Sequence, residues 1–115
     1  MALPEVDEEE AWVGTRWTVR KRNFAHIVFI ADGWPPAYAA AAGSGGPQTV
    51  LTFRSAEAEA LGLMGPPYFR PVWFPDIVGV RIDSSTDWDE ITELVTDSYR
   101  RLAPARLVRL LDAPR

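Results

Sequence analysis

Four cationic side chains lie close together near the start of the chain, in a segment without any acidic residue. They are Arg16, Arg20, Lys21 and Arg22. Cations spaced in this way can bind phosphate oxygens and release the counterions that surround a polyanion. The flanking residues predict a β-hairpin, because Trp17 and Val19 alternate with polar residues ahead of an almost wholly apolar run. The pattern therefore predicts a basic hairpin with its tip at Lys21–Asn23.

The hairpin has three interpretations that the residues leave open. Cations on an exposed edge strand can simply protect a sheet from aggregation. They can instead bind a polyanion, or they can pair with the acidic block Glu5–Glu10 that precedes them. We expect Glu5–Glu10 to be a solvated acidic tail, although clustered carboxylates can also hold a divalent cation.

The residue types indicate neither catalysis nor a metal site. The chain has no cysteine, which excludes disulfides, thiolate nucleophiles and zinc–cysteine sites. The single histidine, His26, stands in an apolar strand and is expected to be a hydrogen-bonded core residue. Ser98 has no histidine near it in sequence, so we expect a buried hydroxyl bonded to the helix backbone. We therefore expect no catalytic residue, no metal and no cofactor.

The composition is that of one folded domain spanning 1–115. A chain of 115 residues with 47% hydrophobic content can bury one core. The absence of an apolar run of about 18 residues, together with an acidic rather than signal-like N-terminus, predicts a cytoplasmic protein with no membrane partner. The net charge of −4 opposes nucleic-acid binding, but the charges are segregated by segment, which can build a basic surface on an acidic protein.

The remaining patterns predict an α+β fold, an antiparallel sheet with helices packed on one face. Thr49–Arg54 and Ile77–Asp83 alternate as half-buried strands, and Asp87–Leu102 is an amphipathic helix with arginines in its last turn. Asp32–Gln48 is expected to be a long loop that can hold one helical turn through its alanines and that exposes Trp34. The other tryptophans, Trp12, Trp17, Trp73 and Trp88, are expected mostly in the core. The shared core is expected to contain Trp17, Val19, Val78, Val80, Ile82, Trp88, Ile91 and Val95.

The order of these motifs resembles the MmcQ/YjbR-like family over nearly the whole chain. The resemblance rests on Leu3-Pro4 with its following acids, on Phe24-Ala25 after the basic residues, and on Ser98-Tyr99 in the last long helix. It implies a "double-wing" fold similar to that of the bacterial frataxin homologues (CyaY-like), and a DNA-binding role without catalysis. This chain differs in carrying Asp76 and Ile77 where many members have a basic and an aromatic residue.

The leading hypothesis is therefore a non-enzymatic module that binds DNA weakly through the basic hairpin and an open sheet face. One alternative is a protein- or small-ligand-binding domain whose pocket is formed by Asp32–Gln48 and Tyr68–Phe74. Another is an acidic metal-handling domain of the frataxin kind. The residues expected to contact DNA are Arg16, Arg20, Lys21, Arg22, Arg54, Arg70 and Arg81.

Overall fold

The computed structural model describes residues 3–11, 13–71 and 73–112 of the chain. These residues form one six-stranded sheet and four helices. The strands are β1 (Val6–Glu10), β2 (Thr15–Val19), β3 (Arg22–Ile30), β4 (Gln48–Arg54), β5 (Tyr68–Phe69) and β6 (Ile77–Ile82). The helices are α1 (Pro36–Ala42), α2 (Ala58–Leu63), α3 (Trp88–Leu102) and α4 (Ala105–Asp112). The strand order is β1-β2-β3-β4-β6-β5, and neighbouring strands are antiparallel, so the predicted α+β fold is confirmed.

β2 and β3 form the predicted hairpin, but its tip lies slightly earlier than expected. Val19 pairs with Arg22, so the turn residues are Arg20 and Lys21. Both have positive φ, of 50° and 66°, as the two-residue turn that matches strand twist requires. The tip predicted at Lys21–Asn23 is therefore displaced, because Asn23 lies within β3 opposite Thr18.

The acidic N-terminal block forms an edge strand, and the prediction of a solvated tail is wrong. β1 pairs with β2 along its whole length. Glu9 lies opposite Arg16, and their side chains form an ion pair of 2.5 Å. Glu8 accepts a hydrogen bond of 2.9 Å from the indole nitrogen of Trp17. Opposite charges that face each other across two strands stabilise their pairing, so an acidic segment can join the sheet beside a basic strand.

The main core lies between one face of the sheet and α2, α3 and α4. The predicted core residues Val19, Val78, Val80, Ile91 and Val95 are buried there, and Trp17 and Ile82 pack against them partly buried. The prediction for Trp88 is wrong, since its side chain is 57% exposed. Asp87 caps α3 by accepting hydrogen bonds from the backbone N–H groups of Asp89 and Glu90. Trp88 is consequently the first helical residue, ahead of the buried stripe that begins at Ile91. Trp12 lies outside the described residues.

The sheet face that was expected to be open carries a second apolar cluster. Val28, Ile30 and Val50 pack there with Ala42 of α1. The expected loop Asp32–Gln48 thus contains a helix, which its prolines and glycines delimit rather than abolish. β3 carries apolar residues on both faces, and a strand of that kind needs cover on both faces to remove them from water. Helices therefore lie on both sides of the sheet, and a continuous open basic face does not form in the described structure.

His26 is the buried, hydrogen-bonded histidine that the sequence predicts. Its Nε2 lies 2.5 Å from the carbonyl oxygen of Val13, and its Nδ1 lies 2.9 Å from the hydroxyl of Tyr38. A carbonyl can only accept, so Nε2–H donates to Val13 and Nδ1 accepts from Tyr38. Burial lowers the pKa of His26 below its ordinary value of 6.5, and Arg16 lowers it further, while the hydrogen bond to Val13 opposes the shift.

The free energy of unfolding is expected to decrease as the pH falls through and below 6.5, the ordinary pKa of histidine, because the unfolded chain takes up a proton at His26 before the folded one does. Because the pKa of His26 is lower in the folded protein, its contribution to stability is fully present at pH values above the pKa in the unfolded chain. This contribution is lost as the pH falls through the pKa in the folded protein. Urea unfolding at several pH values measures the change. The His26→Gln variant should show a flatter dependence over this range, and an equal slope in both proteins would contradict the prediction.

Candidate nucleic-acid interface

One end of the sheet collects cationic side chains from four elements. β3 begins at Arg22 and its antiparallel neighbour β4 ends at Arg54, so both residues lie at this end. The guanidinium of Arg22 also donates a hydrogen bond of 3.4 Å to the carbonyl of Leu102, the last residue of α3. The β2–β3 turn and the start of α4 complete the surface. We call it the basic end and define it by Arg20, Lys21, Arg22, Arg54, Arg101 and Arg106.

Glu5 joins the hairpin tip to α4 within the basic end. Its Oε2 lies 3.2 Å from Nη2 of Arg20 and 3.1 Å from Nη2 of Arg106. All three side chains remain accessible to solvent. The backbone of Glu5 has a φ of 54°, a left-handed conformation that residues other than glycine adopt uncommonly. The two arginines thus hold a carboxylate where they could equally hold a phosphate oxygen.

Asp76 joins β4 to α3 in a similar way. Its Oδ1 lies 2.7 Å from Nη1 of Arg54, and its Oδ2 lies 3.1 Å from Nε of Arg101. Burial alone would raise the pKa of Asp76, but the hydrogen bonds and charges of Arg101 and Arg54 outweigh burial and lower it. Asp76 therefore stays ionised at neutral pH and fixes the positions of both arginines.

The basic end keeps an excess of positive charge after these pairings. Its six cations meet two carboxylates, those of Glu5 and Asp76, which leaves four positive charges among these eight groups. Lys21 is exposed at the hairpin tip and has no ion-pair partner among the residues that the structure describes. A local excess of this kind can attract a polyanion although the whole chain has a net charge of −4.

Four of the seven residues predicted to contact DNA lie at the basic end, namely Arg20, Lys21, Arg22 and Arg54. Arg16 and Arg81 lie elsewhere, and Arg70 lies beside the Phe74–Asp76 segment that borders the basic end. Arg16 pairs with Glu9 in the β1–β2 ladder. Arg81 donates a hydrogen bond of 2.6 Å to the carbonyl of Ala42 at the end of α1, and Arg70 donates one of 2.9 Å to the carbonyl of Pro75. These three arginines thus make contacts within the fold, and the seven do not form one surface.

Sequence reasoning missed Arg101 and Arg106. Arginines in the last turn of α3 are already explained by the helix dipole, so the pattern did not indicate a surface there. The signal that could have found them is the segment Arg100–Arg106, which places three arginines around a short helix–helix junction. Such a junction turns the two helices so that side chains near it can face the same neighbouring strands.

The three segments that carry the family resemblance meet behind the basic end. The hydroxyl of Tyr99 donates a hydrogen bond of 2.7 Å to the carbonyl of Pro4, and its ring packs edge-on against Phe24 at 5.5 Å. Ser98 Oγ donates to the carbonyl of Phe24 at 2.6 Å and accepts from the backbone N–H of Arg54 at 2.7 Å. Ser98 therefore bonds the sheet backbone and not the helix backbone as predicted, because α3 packs closely on β3 and β4. These contacts fix the last turn of α3 against the strands.

The structure also shows the segments and side chains on which the two alternative hypotheses rest. Within residues 3–11, 13–71 and 73–112, no group of three or more histidine, aspartate or glutamate side chains could hold a metal ion. The segments Asp32–Gln48 and Tyr68–Phe74 do meet, since the rings of Tyr38 and Trp73 lie 4.8 Å apart. None of the helices in the described part of the chain has the length and apolar character needed to cross a bilayer.

Comparison with known proteins identifies one family. A family model described as YjbR matches residues 1–101 of the chain. The match covers the whole sheet, α1, α2 and almost all of α3. It includes every residue of the basic end except Arg106. No curated protein sequence matches the chain.

Proposed function

Because the chain belongs to the YjbR family, we propose that it is a non-enzymatic module that binds DNA through the basic end. The observation that carries the proposal is the gathering at one end of the sheet of six cations, which form ion pairs with two carboxylates, Glu5 and Asp76. Arginine and lysine side chains in such a group can neutralise phosphates and release condensed counterions. The proposed DNA-binding module acts in the cytoplasm.

The proposed binding is weak and does not read the DNA sequence. Phosphate contacts position a protein on DNA, whereas sequence readout needs side chains placed at base edges. Two arginines of the basic end already hold Glu5, so a phosphate must compete with an internal carboxylate for them. The net charge of −4 further opposes approach at long range. An affinity of about 10⁻⁴–10⁻⁶ M, usual for non-specific binding, is therefore expected.

Replacing Arg20, Lys21 and Arg22 together by alanine is expected to abolish detectable binding to a fluorescently labelled DNA duplex. The change removes half of the cations of the basic end, all of them exposed at or beside the hairpin turn. Fluorescence anisotropy at low salt measures binding. Thermal unfolding of the variant checks that the fold persists, which we expect because exposed side chains contribute little to the core.

A control variant removes positive charges away from the basic end. Arg16 and Arg81, changed together to glutamine, lower the net charge by two and leave the basic end and its Phe74–Asp76 segment intact. This variant should retain most of the binding, provided that its unfolding curve shows a folded protein. Equal loss in the two variants would show that total charge matters and the basic end does not. Failure of the unmodified protein to bind would contradict the proposal itself.

A further inference from the structure

An exposed aromatic ring borders the basic end. The side chain of Phe74 is 55% exposed. The guanidinium carbon of Arg54 lies 4.9 Å from the centre of its ring, a favourable cation–π contact. Arg54 in turn shares Asp76 with Arg101. The ring is thus in direct contact with a cation of the basic end while more than half of its surface remains open to solvent.

The chain around Phe74 holds the ring in a defined place outside the sheet. β5 ends at Phe69 and β6 begins at Ile77, and the prolines Pro71 and Pro75 lie between them. The backbone N–H of Ile77 donates a hydrogen bond of 3.3 Å to the carbonyl of Phe74, which closes a turn. The preceding Trp73 packs on Tyr38, against the second apolar cluster. An exposed ring anchored on both sides can offer a flat apolar surface to a partner.

We propose that the basic end binds single-stranded DNA in preference to duplex DNA, with an unpaired base stacked on Phe74. The inference rests on the proposed function and specifies its substrate. Bases inside a duplex already stack on their neighbours, whereas an unpaired base offers a free face to an aromatic side chain. Any of the four bases has such a face, so the contact does not read sequence.

The neighbouring cations are placed to hold the phosphates of the same strand. Arg54 touches the ring, and Arg101 is linked to Arg54 through Asp76. Arg22 contacts Leu102, the residue next to Arg101. A base on Phe74 therefore leaves its flanking phosphates near several guanidinium groups. This combination of a stacking ring and a cationic track is typical of sites for single-stranded nucleic acid.

The test compares a labelled mixed-sequence DNA oligonucleotide, single-stranded, with the same sequence as a duplex at one low salt concentration. Anisotropy should give about tenfold tighter binding to the single strand, the scale of one base–aromatic stack. The Phe74→Leu variant should lose about tenfold in affinity for the single strand and keep its affinity for the duplex. Trp88→Leu is the matched control, because it removes an exposed aromatic ring at the other end of α3 and should change neither affinity.

Each outcome assigns success or failure to one of the two proposals. Equal affinities for the two forms of DNA, or an equal loss for both in Phe74→Leu, would overturn the preference for single strands and leave the proposed DNA binding intact. Loss of single-strand affinity in Trp88→Leu as large as in Phe74→Leu would also overturn it. No binding of either form by the unmodified protein would overturn the proposed function, and this inference with it.

Discussion

The Tyr99→Ala variant is expected to lose about 3–5 kcal/mol in free energy of unfolding, the usual cost of removing a buried aromatic side chain. Tyr99 is fully buried and packs edge-on against Phe24. Its hydroxyl also supplies a hydrogen bond to the carbonyl of Pro4. Alanine would leave a cavity under α3 and remove the partner of that carbonyl, and both effects favour the unfolded state. Urea unfolding followed by circular dichroism measures the change.

Two further variants separate the contributions of the ring and the hydroxyl. Tyr99→Phe keeps the packing and loses one hydrogen bond, so a loss of only about 1 kcal/mol is expected. Trp88→Ala removes a larger aromatic side chain from the same helix, but at an exposed position, and should change stability by less than about 0.5 kcal/mol. Similar losses in Tyr99→Ala and Trp88→Ala would show that α3 does not pack on the sheet as described.

The affinity for duplex DNA is expected to fall about 150-fold when the salt concentration rises from about 50 to about 200 mM. The basic end has four positive charges in excess of its carboxylates, so it can neutralise about four phosphates. Each phosphate neutralised adds about 0.9 to the negative slope of log affinity against log salt concentration. Anisotropy titrations at several salt concentrations give this slope directly. A slope near zero would exclude phosphate binding as the source of affinity.

Glu5→Gln tests whether the internal carboxylate competes with phosphate. The change frees Arg20 and Arg106, so affinity should rise and the salt slope should steepen by the equivalent of about one phosphate. Glu9→Gln removes the same charge four residues further along the chain, within β1, where it releases Arg16 instead. This control should have a smaller effect. Equal effects of the two changes would mean that both act through net charge and not through the release of Arg20 and Arg106.

Local sequence patterns were sufficient for the strands β2, β3, β4 and β6 and for the main helix. Apolar residues alternate in Ile77–Ile82, and an apolar stripe runs along α3 from Ile91 to Val95. These spacings match the periods of a strand and of a helix, so they predict which side chains are buried. The helix predicted over Asp87–Leu102 is present as α3, with Asp87 as its N-cap. The same reasoning misplaced Trp88, because the apolar stripe does not say how far toward the first turn the packed face extends.

The patterns identified four of the six cations of the basic end, but they could not predict which residues pair with each cation. An outward arginine is recognisable in a strand, but the residues that will lie opposite it belong to distant segments. β1 joined the sheet beside β2, and this put Glu9 against Arg16. α1 covered the sheet face that was expected to be open.

Periodicity and charge segregation along the chain specify which side chains are buried and which elements are basic, because both are properties of neighbouring residues. The partner of each cation cannot be predicted from neighbouring residues, because it depends on strand order and on the packing of α3 and α4 against the end of the sheet. That packing brings Arg106 to Glu5 beside the hairpin, and it brings Arg101 to Asp76 beside the end of β4. Charges separated by up to 101 positions in sequence, as in Arg106 and Glu5, come within hydrogen-bonding distance only after the chain has folded.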